Sequence, residues 1–248
     1  MHNSSVNKVA IITGASTGIG QSVSIALSQQ GFKIFLLARS KEKLTFVSNL
    51  ITNEGGEAIV IPVDLSSVTS LNNAVTAIKK HVHHIDLLAN IAGIWHGIDD
   101  VYAERLFESF DQQIILDTLS VGIIAPTLLA HALIPLMKKG SKIINLSGTF
   151  ENGAKGWLPY YISKRAIEDL SIGLAQELFD KGIQVNCISP SDTATESYAK
   201  YFPQYMNEAI SPKKIADMFI KLSNSSDLTT GKVFVMKKDN EPLEKFHA

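Results

Sequence analysis

The chain has 248 residues, 45% apolar and 19% charged, with 16 glycines and 8 prolines, a composition that excludes a disordered or collagen-like protein. With 23 basic against 24 acidic residues the formal net charge is -1, so no global field draws in nucleic acid or an anionic membrane. A single cysteine, Cys187, excludes an internal disulfide and a multi-cysteine metal site; the polar start MHNSSVNK lacks a signal peptide's apolar stretch, and no run approaches the roughly 18 apolar residues of a membrane span. A cytoplasmic protein with no nucleic-acid or membrane partner is expected.

Lys8 to Thr13 is a short apolar run that predicts a strand, and Ile19, Val23, Ala26 and Leu27 then recur at helical spacing until Gly31. Lys33 to Ala38 predicts a second strand, Leu44, Val47 and Ile51 a second helix, and Gly55-Gly56 breaks it. A strand from Ala58 to Val63, a helix carrying Leu71, Ala74, Val75 and Ile78, and a strand from Ile85 to Ala89 continue the alternation. Further strands are predicted at Lys142 to Leu146, Ile183 to Ile188 and Lys232 to Met236, with helical stretches from about Asp111 to Lys138 and from about Tyr160 to Phe179. Strands that are apolar throughout are buried on both faces. The pattern therefore predicts an α/β single-domain Rossmann fold over residues 1–248, a doubly wound seven-stranded parallel sheet with helices on both faces.

Ser191 to Ile210 has no clean period and carries Pro203, so residues 191–212 read as a substrate-loop insertion before a helix opened by Ser211 and Pro212. The two long helical stretches are too apolar to be solvated on most of their surface, and a partner subunit would cover them.

The first strand runs into Thr13-Gly14-Ala15-Ser16-Thr17-Gly18-Ile19-Gly20, inside which a helix starts. Glycines let the backbone approach a pyrophosphate, and the helix amino terminus offers N–H groups and positive dipole. Placed between first strand and first helix of a parallel sheet, Gly14, Ser16, Thr17, Gly18, Ile19 and Gly20 predict a dinucleotide-binding turn.

In this turn, which has the pattern TGxxxGxG, the sequence resembles the compact, single-domain branch of the short-chain dehydrogenase/reductase family. Asp64 and Leu65, after the third strand, stand where that family contacts adenine. Asn90-Ile91-Ala92-Gly93 resembles its NNAG, and Pro190 to Thr195 resembles its PGxxxT segment beside the nicotinamide, which implies cofactor roles for Asn90, Ala92, Gly93, Pro190, Thr193 and Thr195. The departures are Ile91 for the second asparagine, Ser191 for glycine, and Lys237 to Asn240 where the family ends its last strand in Asp-Gly-Gly.

An NAD enzyme needs a carboxylate after the second strand to accept from the adenosine ribose, and that carboxylate would repel a 2′-phosphate. Here the chain reads Leu37-Ala38-Arg39-Ser40. Arg39 is a permanently charged fork suited to phosphate and Ser40 can donate once more, so NADP(H) is the expected cofactor. In the bland reading Arg39 is a surface cation and Ser40 only an N-cap.

Tyr160 and Lys164 form one YxxxK, one helical turn apart on one face. Carbonyl reduction needs a proton donor, yet a phenol titrates at about 10 and a cation about 4 Å away lowers that by about three units. Tyr161 is a decoy, since residue 165 is arginine. The resemblance implies that Tyr160 and Lys164 also bind the cofactor. It further implies a serine at the end of the preceding strand, and Ser147, 13 residues before Tyr160, is assigned to hold the substrate oxygen. Family strand ends often place the second small residue there, which is Gly148, and Thr149 is the fallback. The family's helix asparagine falls on Gly122 and is missing. Either a kink there admits ordered water where that side chain would lie, or the water relay to Lys164 is broken.

His81, His83 and His84 sit where a helix ends and read as dipole partners rather than metal ligands. Trp95, His96, Phe150, Glu151 and Trp157 are candidates to line a pocket. The expectation is an NADP(H)-dependent oxidoreductase on small-molecule carbonyls or secondary alcohols, a homodimer or homotetramer. Gly122 and Gly148 motivate the alternative of a catalytically impaired dinucleotide-binding regulatory or scaffold protein, and an isomerase or dehydratase using the same cofactor is a third reading.

Overall fold

A computed structural model describes residues 8–150 and 153–247; Glu151 lies outside them. Apolar runs form β1 (Lys8–Thr13), β2 (Phe32–Ala38), β3 (Glu57–Pro62), β4 (Ile85–Asn90), β5 (Met137–Leu146), β6 (Gln184–Pro190) and β7 (Lys232–Met236), all mutually parallel. Their side chains alternate between two cores: Val9 and Ile11 face one side of the sheet, Ala10 and Ile12 the other. Both faces therefore need helical cover.

The helices are α1 (Gly18–Ser28), α2 (Lys41–Asn53), α3 (Val68–His81), α4 (Gln112–Leu119), α5 (Ala125–Leu133), α6 (Leu158–Glu177), α7 (Glu196–Tyr201) and α8 (Pro212–Asn224). Val23, Leu27, Leu44, Val47 and Phe219 place α1, α2 and α8 on one face; Leu71, Ile78, Leu129 and Ala175 place α3, α5 and α6 on the other. The spatial order is β3-β2-β1-β4-β5-β6-β7, so the winding reverses between β1 and β4. That reversal leaves a crevice at the carboxyl ends of the strands.

Four departures from the sequence reading have local causes. An eighth strand, β8 (Leu243–Glu244), adds antiparallel to the β7 edge, so the sheet is neither seven-stranded nor wholly parallel. Two residues are too short for periodicity to reveal. The helix expected from Asp111 to Lys138 changes its winding along its length: α4 passes into a π turn over Ser120–Ile124, then α5, then a 3-10 turn at Ile134–Leu136. Pro126 has no N–H to give the carbonyl four residues back, which opens the turn, and Pro135 closes the run so that Met137 and Lys138 are already strand.

The third departure concerns length, because Gln112–Leu136 is a continuous helical stretch of 25 residues, apolar enough by length and composition to cross a membrane. In the fold its Val121, Ala125, Leu129 and Leu133 are buried in the core, while Leu116 and Ile124 stay exposed. Fourth, the segment expected to be irregular contains α7, which starts at a Thr195 hydroxyl accepting from the Tyr198 N–H at 3.2 Å. Backbone bonds from Ala194 to Ile210 and from Ile210 to Asp192 close this segment into a loop. Ser211 caps α8 as expected, through the Lys214 N–H at 3.2 Å.

Candidate active site

The strand ends open into a cleft of about 790 Å³. Of the expected cofactor residues, Gly14, Ser16, Thr17, Gly18, Ile19, Gly20, Arg39, Ser40, Asp64, Leu65, Ala92, Gly93, Tyr160, Lys164 and Thr195 line it. Thr17 stands at the N-cap of α1 in extended conformation and gives the first turn no side-chain cap, so anion-binding N–H groups are available there. Thr13, at the end of β1, accepts from the N–H groups of Ile91 and Ala92 at 3.0 and 3.2 Å and ties the loop after β4 to the turn. Gly18 has φ +55, and a Cβ there would lie 3.0 Å from Cγ2 of Thr195, so the loop before α7 rests directly on the turn.

At the β2 end, Arg39 is exposed and lines the cleft. Ser40 has both of its expected characters: it lines the cleft and caps α2 by accepting from the Lys43 N–H at 3.3 Å. That cap turns the first helical turn toward the cleft and brings in Lys43, a cation the sequence reading did not assign. Its signal was its place three residues after the capping serine. Asp64 accepts from the N–H and hydroxyl of Ser66 at 3.0 and 2.7 Å, which fixes its carboxylate at the rim.

At the other end, α6 presents Tyr160 and Lys164 to the same cleft. Lys164 is 2% exposed and its Nζ donates to the Leu146 carbonyl at the end of β5, 2.8 Å away. Burial pulls its pKa down from 10.5 to about 8, against the opposing charge of Glu168. The ammonium lies 5.3 Å from the centre of the Tyr160 ring. The Tyr160 phenol is pushed above its ordinary range rather than below it, first by burial and then by the charge of Asp192. Desolvation of the phenolate is the larger of the two causes.

Ser147, expected to hold the substrate oxygen, follows β5 and is not among the residues that line the cleft. Its hydroxyl is buried and turned into the protein, donating to Oε1 of Glu168 at 2.7 Å and sharing its proton with the Lys164 carbonyl at 2.9 Å. Side chains alternate along β5: Asn145 and Ser147 both face α6, through Ser171 and Glu168, and Leu146 packs on the opposite face. Glu168 has no exposed surface; besides Ser147 it accepts from the backbone N–H of His247 at 2.8 Å and lies 3.7 Å from the Arg165 guanidinium. Asn90, Pro190 and Thr193 support the site without lining the cleft: Asn90 donates to Asn145 at 2.8 Å, Pro190 ends β6, and Thr193 pairs with Ile210.

A pattern for short chain dehydrogenases matches residues 8–205. The chain belongs to the short chain dehydrogenase family. A fatty acyl-CoA reductase of Acinetobacter baylyi is 30% identical over 223 residues, 86% of this chain and 72% of the relative. A 2,5-dichloro-2,5-cyclohexadiene-1,4-diol dehydrogenase of Sphingobium indicum is 28% identical over 241 residues, 95% and 91% of the two chains. Among solved structures, a metagenomic short-chain oxidoreductase in complex with NADP superimposes with a TM-score of 0.76 at 27% identity, covering 90% of this chain and 94% of that one.

Within this short chain dehydrogenase the reading of Gly122 as a kink that admits ordered water needs correction. A Cβ on Gly122 would stand 2.6 Å from Cβ and 2.8 Å from Oγ of Ser163, so Ser163 of α6 fills the space assigned to an asparagine side chain or to water. The glycine is there because α6 approaches the π turn closely. Gly122→Asn is therefore expected to destabilise the fold by about 1 to 3 kcal/mol through overpacking. In thermal unfolding, Gly122→Ala and Ser163→Gly together should be less damaging than their separate effects added, with a coupling of at least about 0.5 kcal/mol. Strict additivity would contradict the contact.

Proposed function

We propose that this short chain dehydrogenase is an NADP(H)-dependent oxidoreductase that reduces carbonyls of small molecules, or oxidises the corresponding secondary alcohols. The observation that carries this reading is that Tyr160 and Lys164 line the same cleft as the anion-binding turn and the Arg39 and Lys43 cations. The donor set fits the cofactor: the turn and α1 amino terminus suit a pyrophosphate, and Arg39, Ser40 and Lys43 suit a 2′-phosphate. The NADP held by the metagenomic neighbour supports the same choice, and the relatives' names supply the class of chemistry, alcohol and carbonyl interconversion.

When bound in this cleft, NADPH would supply the hydride for carbonyl reduction. Tyr160, protonated at neutral pH, gives its phenolic proton to the substrate oxygen. Lys164, anchored on the Leu146 carbonyl, offsets the phenolate charge left after proton transfer. Thr195 closes the α7 loop over the turn. Ser147 holds Glu168 instead of the substrate. That orientation, with Gly148 in the neighbouring position, is what favours a second reading, a dinucleotide-binding protein without turnover. Exposed Leu116, Ile124 and Ile162 on α4, the π turn and α6 support a homodimer or homotetramer formed through these helices, and the buried Cys187 thiol fits a reducing, cytoplasmic setting.

In fluorescence titrations wild type is expected to bind NADPH more tightly than NADH, and Arg39→Ala and Lys43→Ala should each weaken NADPH roughly ten- to a hundredfold while leaving NADH nearly unchanged. Equal affinities in wild type would refute the cofactor assignment. Tyr160→Phe should lower turnover about 100- to 10,000-fold with NADPH still bound. Tyr161→Phe, whose ring packs on Phe150 and Arg165, should cost far less. NADPH binding with no turnover of any carbonyl by wild type would favour the second reading.

A further inference from the structure

From the proposed acid at the reacting end of the cleft a continuous arc of packed aromatic rings leads to Trp95, and Tyr160 and Trp95, its two ends on this path, line the cleft. Tyr160 sits between Phe150, 5.9 Å between ring centres, and Trp157 at 6.3 Å. Trp157 continues to Phe202 at 6.0 Å, and Phe202 stacks on Trp95 at 6.2 Å with an interplanar angle of 29°. Each of these rings is only part-buried, and Trp95 lines the cleft directly. Beside the arc, Gly148 leaves open space next to Phe150: a Cβ there would meet only the Pro190 carbonyl at 3.9 Å and the edge of Phe150 at 4.0 Å.

Of the cations at this end, Lys164 is held beside Tyr160 by the Leu146 carbonyl, and the others are engaged elsewhere. Lys200, which lines the cleft, is committed to the Ile98 carbonyl at 2.7 Å and to Asp99 at 3.2 Å. Arg165 packs over Phe150 and Tyr161, 5.4 and 5.0 Å from their ring centres, and lies beside Glu168. Asp192 hydrogen-bonds the Tyr198 hydroxyl, and its negative charge reaches Tyr160. Arg39 and Lys43 belong to the opposite, β2 end of the cleft.

Resting on the reductase reading, we infer that the substrate is a neutral, bulky ketone with a flat aromatic or similarly apolar body, stacked along Phe150, Trp157, Phe202 and Trp95 with its carbonyl at Tyr160. Flat rings gain dispersion and edge-to-face contacts on such an arc, and Gly148 gives the body room beside Phe150. A carboxylate on that body would meet the apolar arc near Asp192 without a partner, which is costly.

The test is a matched panel reduced with NADPH: methyl 4-acetylbenzoate, 4-acetylbenzoate and acetone. The neutral ester is expected to exceed both the anion and acetone in kcat/KM by roughly 10- to 100-fold. Phe202→Leu should raise KM for the ester several-fold and change kcat and NADPH affinity little; Trp157→Ala should raise KM further. The chain's two tryptophans, Trp95 and Trp157, both lie in the arc, so adding the ester to the NADP-loaded protein should quench intrinsic fluorescence and 4-acetylbenzoate should not. Turnover that favours the anion or acetone, or an unchanged KM in both variants, overturns the substrate class alone. Ester-specific quenching without turnover of any ketone upholds the aromatic site and overturns the reductase reading; neither quenching nor turnover overturns both.

Discussion

Lys164 carries an ammonium group that is 2% exposed, and taking such a charge out of water costs several kcal/mol unless hydrogen bonds and opposite charge replace the solvent. Two parts of the chain meet that cost. The end of β5 supplies the Leu146 carbonyl and α6 supplies the Glu168 carboxylate one turn further on. Glu168 is itself buried and is held by Ser147 from β5 and by the backbone of His247 from the C-terminal tail. The short strand β8 directs that tail back along β7 and toward α6. An element that looks peripheral in the topology thus reaches the environment of the central cation.

The reversal of winding between β1 and β4 gives the same cation its place relative to the turn. With β1 and β4 adjacent, Thr13 bonds the loop after β4 and carries Ala92 and Gly93 to the glycine turn, while β5 beside β4 brings Leu146 and α6 to the opposite wall. A Cβ on Gly93 would be 3.2 Å from Lys164 Nζ, so the loop and the ammonium meet at the floor of the cleft. Close approach of α6 to the π turn, through Ser163 against Gly122, sets the depth at which Tyr160 and Lys164 lie.

Most of the sheet and the phosphate end were legible in the sequence because they rest on local signals. Apolar runs mark β1 to β7, and the spacing of Gly14, Gly18 and Gly20 between strand and helix needs no distant residue to be understood. Tyr160 and Lys164 were legible for the same reason, being one turn apart on one helix. The direction of the Ser147 hydroxyl was not, since a difference of one residue along a strand end moves a side chain to the other face. Glu168 was missed because a carboxylate one turn after a lysine reads as an ordinary helix surface pair, and its partners come from β5 and from the tail, 79 positions away for His247. The π turn was read as a kink, but the packing of Ser163, on another helix, against Gly122 is a tertiary contact that no helical period encodes.

The account turns on whether Lys164 is a buried ammonium stabilised by Glu168. Site-resolved NMR titration of the lysine ammonium, in wild type and in Glu168→Gln, measures this directly. Wild-type Lys164 should lose its proton near pH 8, and removal of the Glu168 charge, which favours the ammonium, should move that midpoint to lower pH. The alkaline loss of any activity that depends on the cation should move the same way, while Glu168→Asp should restore the wild-type midpoint in part. A Lys164 that titrates at the ordinary lysine value of about 10.4, or one whose midpoint is the same in Glu168→Gln, would contradict the account.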